Sequence, residues 1–137
     1  MVGRAVIVMA LSAALLVPPM LAQGGNLPDM DARPVRPPIP VYPQGAAAAS
    51  LSGYCDVRFS VDTRGRTSNI RPYCSHPEFC ASATAAMEEV RFMPARRDGM
   101  IVARDNVVYP LEYRIYGGPE PVFDLNNLTD CVDPFVS

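Results

Sequence analysis

The chain has 137 residues, four cysteines, fifteen prolines and a formal charge of −2, which suits one small domain with unstructured connecting segments. A slightly acidic balance without clustered basic residues carries no footprint for nucleic acid. No run of like charges marks an interaction tail either.

The first 22 residues read as an export signal. A single arginine in MVGR precedes the apolar stretch 5–17, Pro18-Pro19 ends it, and Ala22 gives a small residue before Gln23. The alternative is an uncleaved signal anchor, since 5–22 is close to the shortest span that crosses a bilayer. Either way the remainder leaves the cytosol. Residues 23–41, QGGNLPDMDARPVRPPIPV, are rich in Gly and Pro and read as a linker with polyproline II character. PQGAAAASL then suggests a one- or two-turn helix with Pro43 in its first turn.

GYCDVRFSVDTRGRTSNIRPYCS alternates as a hairpin, with Cys55, Val57, Phe59 and Val61 on one face and Asp56, Arg58, Ser60 and Asp62 on the other. Placing Phe59 opposite Ile70 sets Val57 against Pro72 and Cys55 against Cys74. A one-residue slip would bring Asn69 or Arg71 to the apolar face, so burial selects the first register. Ser75-x-x-Glu78 has the form of a capping box, with Pro77 in the first turn of a helix. Phe79, Ala83, Ala86, Met87 and Val90 share one stripe of that helix, Phe79 and Val90 being expected deepest, whereas Glu88 and Glu89 fall on its solvated side. Phe92-Met93-Pro94 ends it, and Asp98-Gly99 is a hairpin turn signal. Val107, Tyr109, Leu111, Tyr113 and Ile115 alternate along a last strand running from Asn106 to Tyr116. Residues 117–137 form a tail carrying Cys131. The fold class is α+β: a small antiparallel three-stranded sheet packed against a helix, with a short helix before the first strand.

Export makes four cysteines in a short chain two disulfides. Register favours Cys55–Cys74, which leaves Cys80–Cys131; Cys74–Cys80 with Cys55–Cys131 is the rival connectivity. Cys74, His76, Cys80 and Cys131 match the spacing of no common zinc module, so neither a metal nor a cofactor is expected. His76, the single histidine, lies between Ser75 and Pro77 without a catalytic motif and reads as a solvent-exposed loop residue. No enzymatic activity is expected from it.

Tyr42-Pro43 before an Ala-rich helix, Gly53 before the first strand, Phe59, Val61 and Gly65 in the hairpin, Phe92 with Pro94, and Gly99 occur in the order found in the TonB C-terminal domain family. The chain resembles that family over residues 42–116, and some members carry cysteines matching Cys55 and Cys74. The resemblance implies a periplasmic module of Gram-negative envelopes, anchored in the inner membrane if the N-terminal segment is uncleaved, in a family that passes inner-membrane work to outer-membrane receptors. It also implies binding of an envelope protein, an outer-membrane receptor segment being one such partner, by strand addition beside the last strand. The partner-binding edge would then comprise Asn106, Val108, Pro110, Glu112, Arg114 and Tyr116. Pro110, which lacks an N–H, is expected to turn its nitrogen to the open side. The short linker and the cysteine-anchored tail depart from the family pattern. They favour a binding module over a membrane-anchored energy transducer, the alternative function.

Overall fold

The computed structural model describes residues 27–122 and 124–132, with Gly3 and Ala14 as isolated positions. The export segment expected at 1–22 lies outside the described residues, those two positions apart. Among the described residues no helix is long and apolar enough to cross a membrane.

The elements in chain order are β1 (Arg33–Pro34), α1 (Gln44–Ala48), β2 (Gly53–Val61), β3 (Thr67–Cys74), a 3-10 turn (Pro77–Phe79), α2 (Cys80–Glu89), β4 (Phe92–Met93), β5 (Ala95–Arg97), β6 (Met100–Val102), β7 (Arg104–Tyr113) and β8 (Thr129–Asp130). The fold is α+β, with α2 lying on one face of an antiparallel sheet of strand order β7-β2-β3-β8. The three expected strands are joined by a fourth, β8, contributed by the tail. The apolar face of the hairpin meets the helix: Val57, Phe59, Val61, Phe79, Ala83 and Met87 are all buried. Met87 rather than Val90 accompanies Phe79 at the bottom of the core, because Val90 falls one residue past the helix, where the backbone turns extended.

The β2–β3 register pairs Cys55 with Cys74 and Val57 with Pro72. Farther along, Arg58 pairs with Arg71 but Ser60 with Ser68, so β3 carries one extra residue. Asn69 takes it up at φ 51°, a β-bulge that sets Asn69 and Ile70 together against Phe59. β7 bulges at the same level: Phe59 pairs with Val107 and Val61 with Arg104, with Asn106 at φ 55°. Each strand flanking β2 thus kinks where an asparagine tolerates the left-handed backbone.

The turn from β2 to β3 is built by Asp62, whose carboxylate accepts the N–H groups of Arg64 at 2.8 Å and Arg66 at 2.9 Å. The Arg66 N–H, with the others of this turn, holds the Asp62 carboxyl below its ordinary value. Gly65 sits at φ 77°, and a Cβ there would lie 1.9 Å from the Phe92 carbonyl oxygen. Only glycine fits. Asp98 and Gly99 turn between β5 and β6 at φ 52° and 77°, both left-handed as a type I′ hairpin requires.

The segment expected as a free linker is instead partly bound to the domain. Met30 bridges to Arg96, β1 pairs with β4, and the Val35 N–H reaches the Arg91 carbonyl. Asp31 is paired with Arg104 at 3.0 Å; the Ala32 N–H, and then Arg104, hold its carboxyl below the usual range. The expected capping box is absent as well. Ser75 makes no cap; its Oγ accepts the Tyr54 N–H at 3.1 Å. Pro43 is the residue before α1, accepting the Ala47 N–H, rather than part of its first turn.

Candidate functional site

The candidate surface is the outer side of β7, an end strand of the sheet. Its backbone orientation follows from Tyr54 on β2. Tyr54 donates to Ser75 Oγ and accepts from the Ser75 N–H, so both of its backbone groups point toward the β3 side. Successive residues of a strand alternate the side to which N–H and C=O point. Residues 54, 56 and 58 therefore serve β3, and 53, 55, 57 and 59 serve β7. The bonded pairs across β2 and β7 are Gly53 with Tyr113, Cys55 with Leu111, Val57 with Tyr109 and Phe59 with Val107.

Val108, Pro110 and Glu112, opposite Arg58, Asp56 and Tyr54, occupy the non-bonded positions, so their backbone groups point away from the sheet. Pro110 sits where its missing N–H costs the ladder nothing. The outward edge thus offers the N–H and C=O of Val108 and Glu112 and the carbonyl alone of Pro110. Four residue steps place these groups over about 14 Å. Among the described residues no strand pairs with this side.

The other positions expected on this edge are less regular. Asn106 occupies the bulge, and Arg114 and Tyr116 lie beyond the strand, which ends at Tyr113. Ile115 follows it into a turn, accepting the Gly118 N–H. Arg114 pairs with Glu112 at 2.8 Å and with Glu120 at 2.6 Å; Glu112 chiefly strengthens its hold on the proton. Tyr116 is fully exposed.

The described part of the tail does not pair with this edge. It pairs with one end of the opposite edge: Asp130 pairs with Tyr73, Thr129 with Cys74, and the Cys131 N–H reaches the Pro72 carbonyl at 3.0 Å. An ion pair between Arg71 and Asp130 adds to this pairing. Cys80 is bonded to Cys131 and Cys55 to Cys74. The latter Cα atoms are 4.0 Å apart, as suits a non-bonded antiparallel pair, where strands approach most closely. Among the described residues, the β3 edge is thus paired at its Tyr73–Cys74 end, and no strand pairs with the outer side of β7.

An aromatic cluster steadies the end of β7. Phe79 stacks on Tyr113 with centroids 4.3 Å apart, and Tyr42 meets both rings edge-on at 5.9 and 5.8 Å. The Tyr113 hydroxyl donates to Ser82 Oγ at 3.0 Å, and burial raises its phenol above the ordinary value. Tyr42 in turn donates to the Leu51 carbonyl. These contacts give the Tyr-Pro motif its role: it anchors the chain entering the domain against the strand bearing the edge. Gly53 is required in the same region, since a Cβ there would lie 2.5 Å from both Phe79 Cε2 and Ser75 Oγ.

His76 is half-buried rather than exposed, its ring edge-on to Phe79 and its Nδ1 3.1 Å from Ser75 Oγ. Among the described residues no carboxylate is bonded to the ring. The sulfurs of Cys74, Cys80 and Cys131 lie within 4.8 Å of one another, but all three are in disulfides, which removes the thiolates a metal would need.

An antiparallel sheet under one helix, an aromatic-proline anchor and an open terminal strand define a TonB-type C-terminal domain. The family model for the Gram-negative bacterial TonB protein C-terminal matches residues 38–115, and the chain belongs to that family. It is 38% identical over 82 residues to Protein TonB of Pseudomonas aeruginosa, a match covering 58% of this chain and 24% of that protein. The chain thus spans about a quarter of the length of that curated relative. The solution NMR structure of the Pseudomonas aeruginosa TonB CTD matches with a TM-score of 0.51 at 32% identity, over 66% of this chain and 93% of that one.

Proposed function

We propose that the protein is an exported, periplasmic module of the cell envelope that binds an extended segment of another envelope protein, by strand addition along β7. The observation carrying this reading is the asymmetry of the sheet. The Tyr73–Cys74 end of the β3 edge is paired by β8 and pinned by a disulfide, whereas the β7 side presents outward N–H and C=O groups at Val108 and Glu112. Main-chain hydrogen bonds would supply affinity, and the side chains flanking the edge, Val108 and the Glu112–Arg114 pair, would supply selection. Pro110 withholds one donor from the middle of the ladder. Strand addition is therefore weaker here than along an edge without proline, or shifted toward Glu112 and the residues after it.

The test is a photo-cross-linker placed at Val108 or, as the comparison, at Ser68 on β3, in a titration with a peptide from an outer-membrane receptor. Capture from position 108 and not from 68 supports the reading; equal capture, or none, overturns it. The second reading, a membrane-anchored transducer of energy to outer-membrane receptors, is favoured by the similarity to Protein TonB. The mass of the mature chain separates the two. A start at Gln23 supports the free module, and retention of residues 1–22 in the membrane fraction supports the transducer.

A further inference from the structure

The two disulfides touch. Cys131 Sγ lies 3.6 Å from Cys74 Sγ, so the outer bond Cys80–Cys131 rests directly on the inner bond Cys55–Cys74. Local structure creates the contact: Cys74 ends β3, Cys80 opens α2 one turn later, and Cys131 follows the two residues of β8 that pair with the end of β3. Accessibility differs sharply between the bonds. Cys55 and Cys74 are wholly buried, whereas Cys80 and Cys131 are partly exposed. A thiol reagent therefore meets the outer bond first.

We propose that the pair is a disulfide relay: the outer bond is the entry site for a dithiol oxidoreductase or small dithiol, and Cys131 carries the exchange inward to Cys74. In the first step a reductant thiolate attacks the Cys80–Cys131 bond and forms a mixed disulfide. The second reductant thiol resolves it, leaving the reductant oxidised and Cys80 and Cys131 as thiols, a transfer of two electrons and two protons. In the second step the Cys131 thiolate attacks Cys74 Sγ. The Cys74–Cys131 bond forms, the Cys55–Cys74 bond breaks, and the electron pair leaves on Cys55 Sγ, which takes up a proton. No further oxidant or reductant is needed, because exchange conserves the number of disulfides. The product keeps the tail bound to β3 through Cys131 while freeing the start of α2 and the β2 side of the hairpin mouth. Run in reverse, the same path lets an external oxidant complete a bond that its own thiols cannot reach.

The experiment uses the full mature chain with limiting dithiothreitol, acid quenching, alkylation and peptide mapping. Among molecules that retain one disulfide, a species with Cys74 bonded to Cys131 and with Cys55 and Cys80 alkylated is expected. Its appearance should quicken about tenfold per pH unit below the ordinary cysteine pKa of about 8.5, because the thiolate is the nucleophile. In Cys80→Ser, which leaves Cys131 without its partner, the same bond should form without reductant. In the double variant Cys80→Ser/Cys131→Ser, which removes both sulfurs beside Cys74, the inner bond should open at least about tenfold more slowly than in the wild-type chain, since direct attack on a buried disulfide is then the remaining route. Absence of the Cys74–Cys131 species from the wild-type time course overturns the relay, as does inner-bond opening in the double variant at the wild-type rate. The wild-type time course decides the matter even if a variant fails to fold.

Discussion

Pro110→Val adds one N–H to the outward side of β7 and leaves the inward ladder untouched. Its paired residue, Asp56, has its own backbone groups turned toward β3, so no carbonyl of β2 awaits the new donor. The stability of the free protein should therefore change little, by about 1 kcal/mol or less, mainly because valine is less restricted than proline in the unfolded chain. A bound strand would gain one backbone hydrogen bond, worth about 0.5–1.5 kcal/mol net. That corresponds to a roughly two- to twelvefold fall in Kd. The same donor completes the edge between Val108 and Glu112 and should favour pairing of two copies through β7. Calorimetric titration with the receptor-derived peptide measures the first effect and sedimentation equilibrium the second. If neither affinity nor association changes, β7 is not the functional edge. If the variant instead gains more than about 1 kcal/mol of stability, the proline nitrogen faced β2, where the new N–H satisfies a waiting carbonyl, and the derived register is wrong.

Three other outcomes are expected. Phe59→Ala empties the core where that ring meets Phe92 at 5.2 Å and should cost about 3–5 kcal/mol in chemical denaturation; a loss near zero would contradict the placement of the helix. Gly53→Ala drives a methyl group into the Phe79 ring and Ser75 Oγ and should cost about 1–3 kcal/mol, whereas a neutral result would mean that the close approach is loose. Because the Asp62 carboxyl is depressed in the folded state, its contribution is complete above the unfolded value of about 3.9 and is lost as pH falls through the lower folded value. Carboxyl NMR titration checks this, and a midpoint at or above the ordinary value would refute it.

The hairpin register from Cys55 to Arg58 was legible because only one pairing keeps asparagine and arginine off the apolar face. The bulge was not, since a single left-handed asparagine leaves no periodic trace; Ile70 thus shares its place opposite Phe59 with Asn69. The helix stripe was readable from spacing, but Ser75 was misread because its hydroxyl serves a residue 21 positions away, Tyr54. β1 was hidden in proline-rich composition. Its ladder is two residues long and is reinforced by Asp29 and Asp31, whose partners Asp98 and Arg104 lie far along the chain. β8 was hidden for a similar reason: Thr129 and Asp130 have no strand signature and pair because Cys131 and Asp130 fix them beside β3. Of the expected edge, the central Val108, Pro110 and Glu112 lie on regular strand. The outer positions do not, because the alternation of Tyr113 and Ile115 continues in sequence past the point where the backbone turns away.

Amide hydrogen exchange of the isotopically labelled chain, with and without the receptor-derived peptide, tests strand addition most directly. The account predicts that the amides of Val108 and Glu112, which point outward, gain protection on binding. Those of Val107, Tyr109 and Leu111, already bonded to β2, should keep the protection they have. Protection gained along Thr67–Arg71 of β3, or no change at Val108 and Glu112 when the peptide is bound, would contradict it.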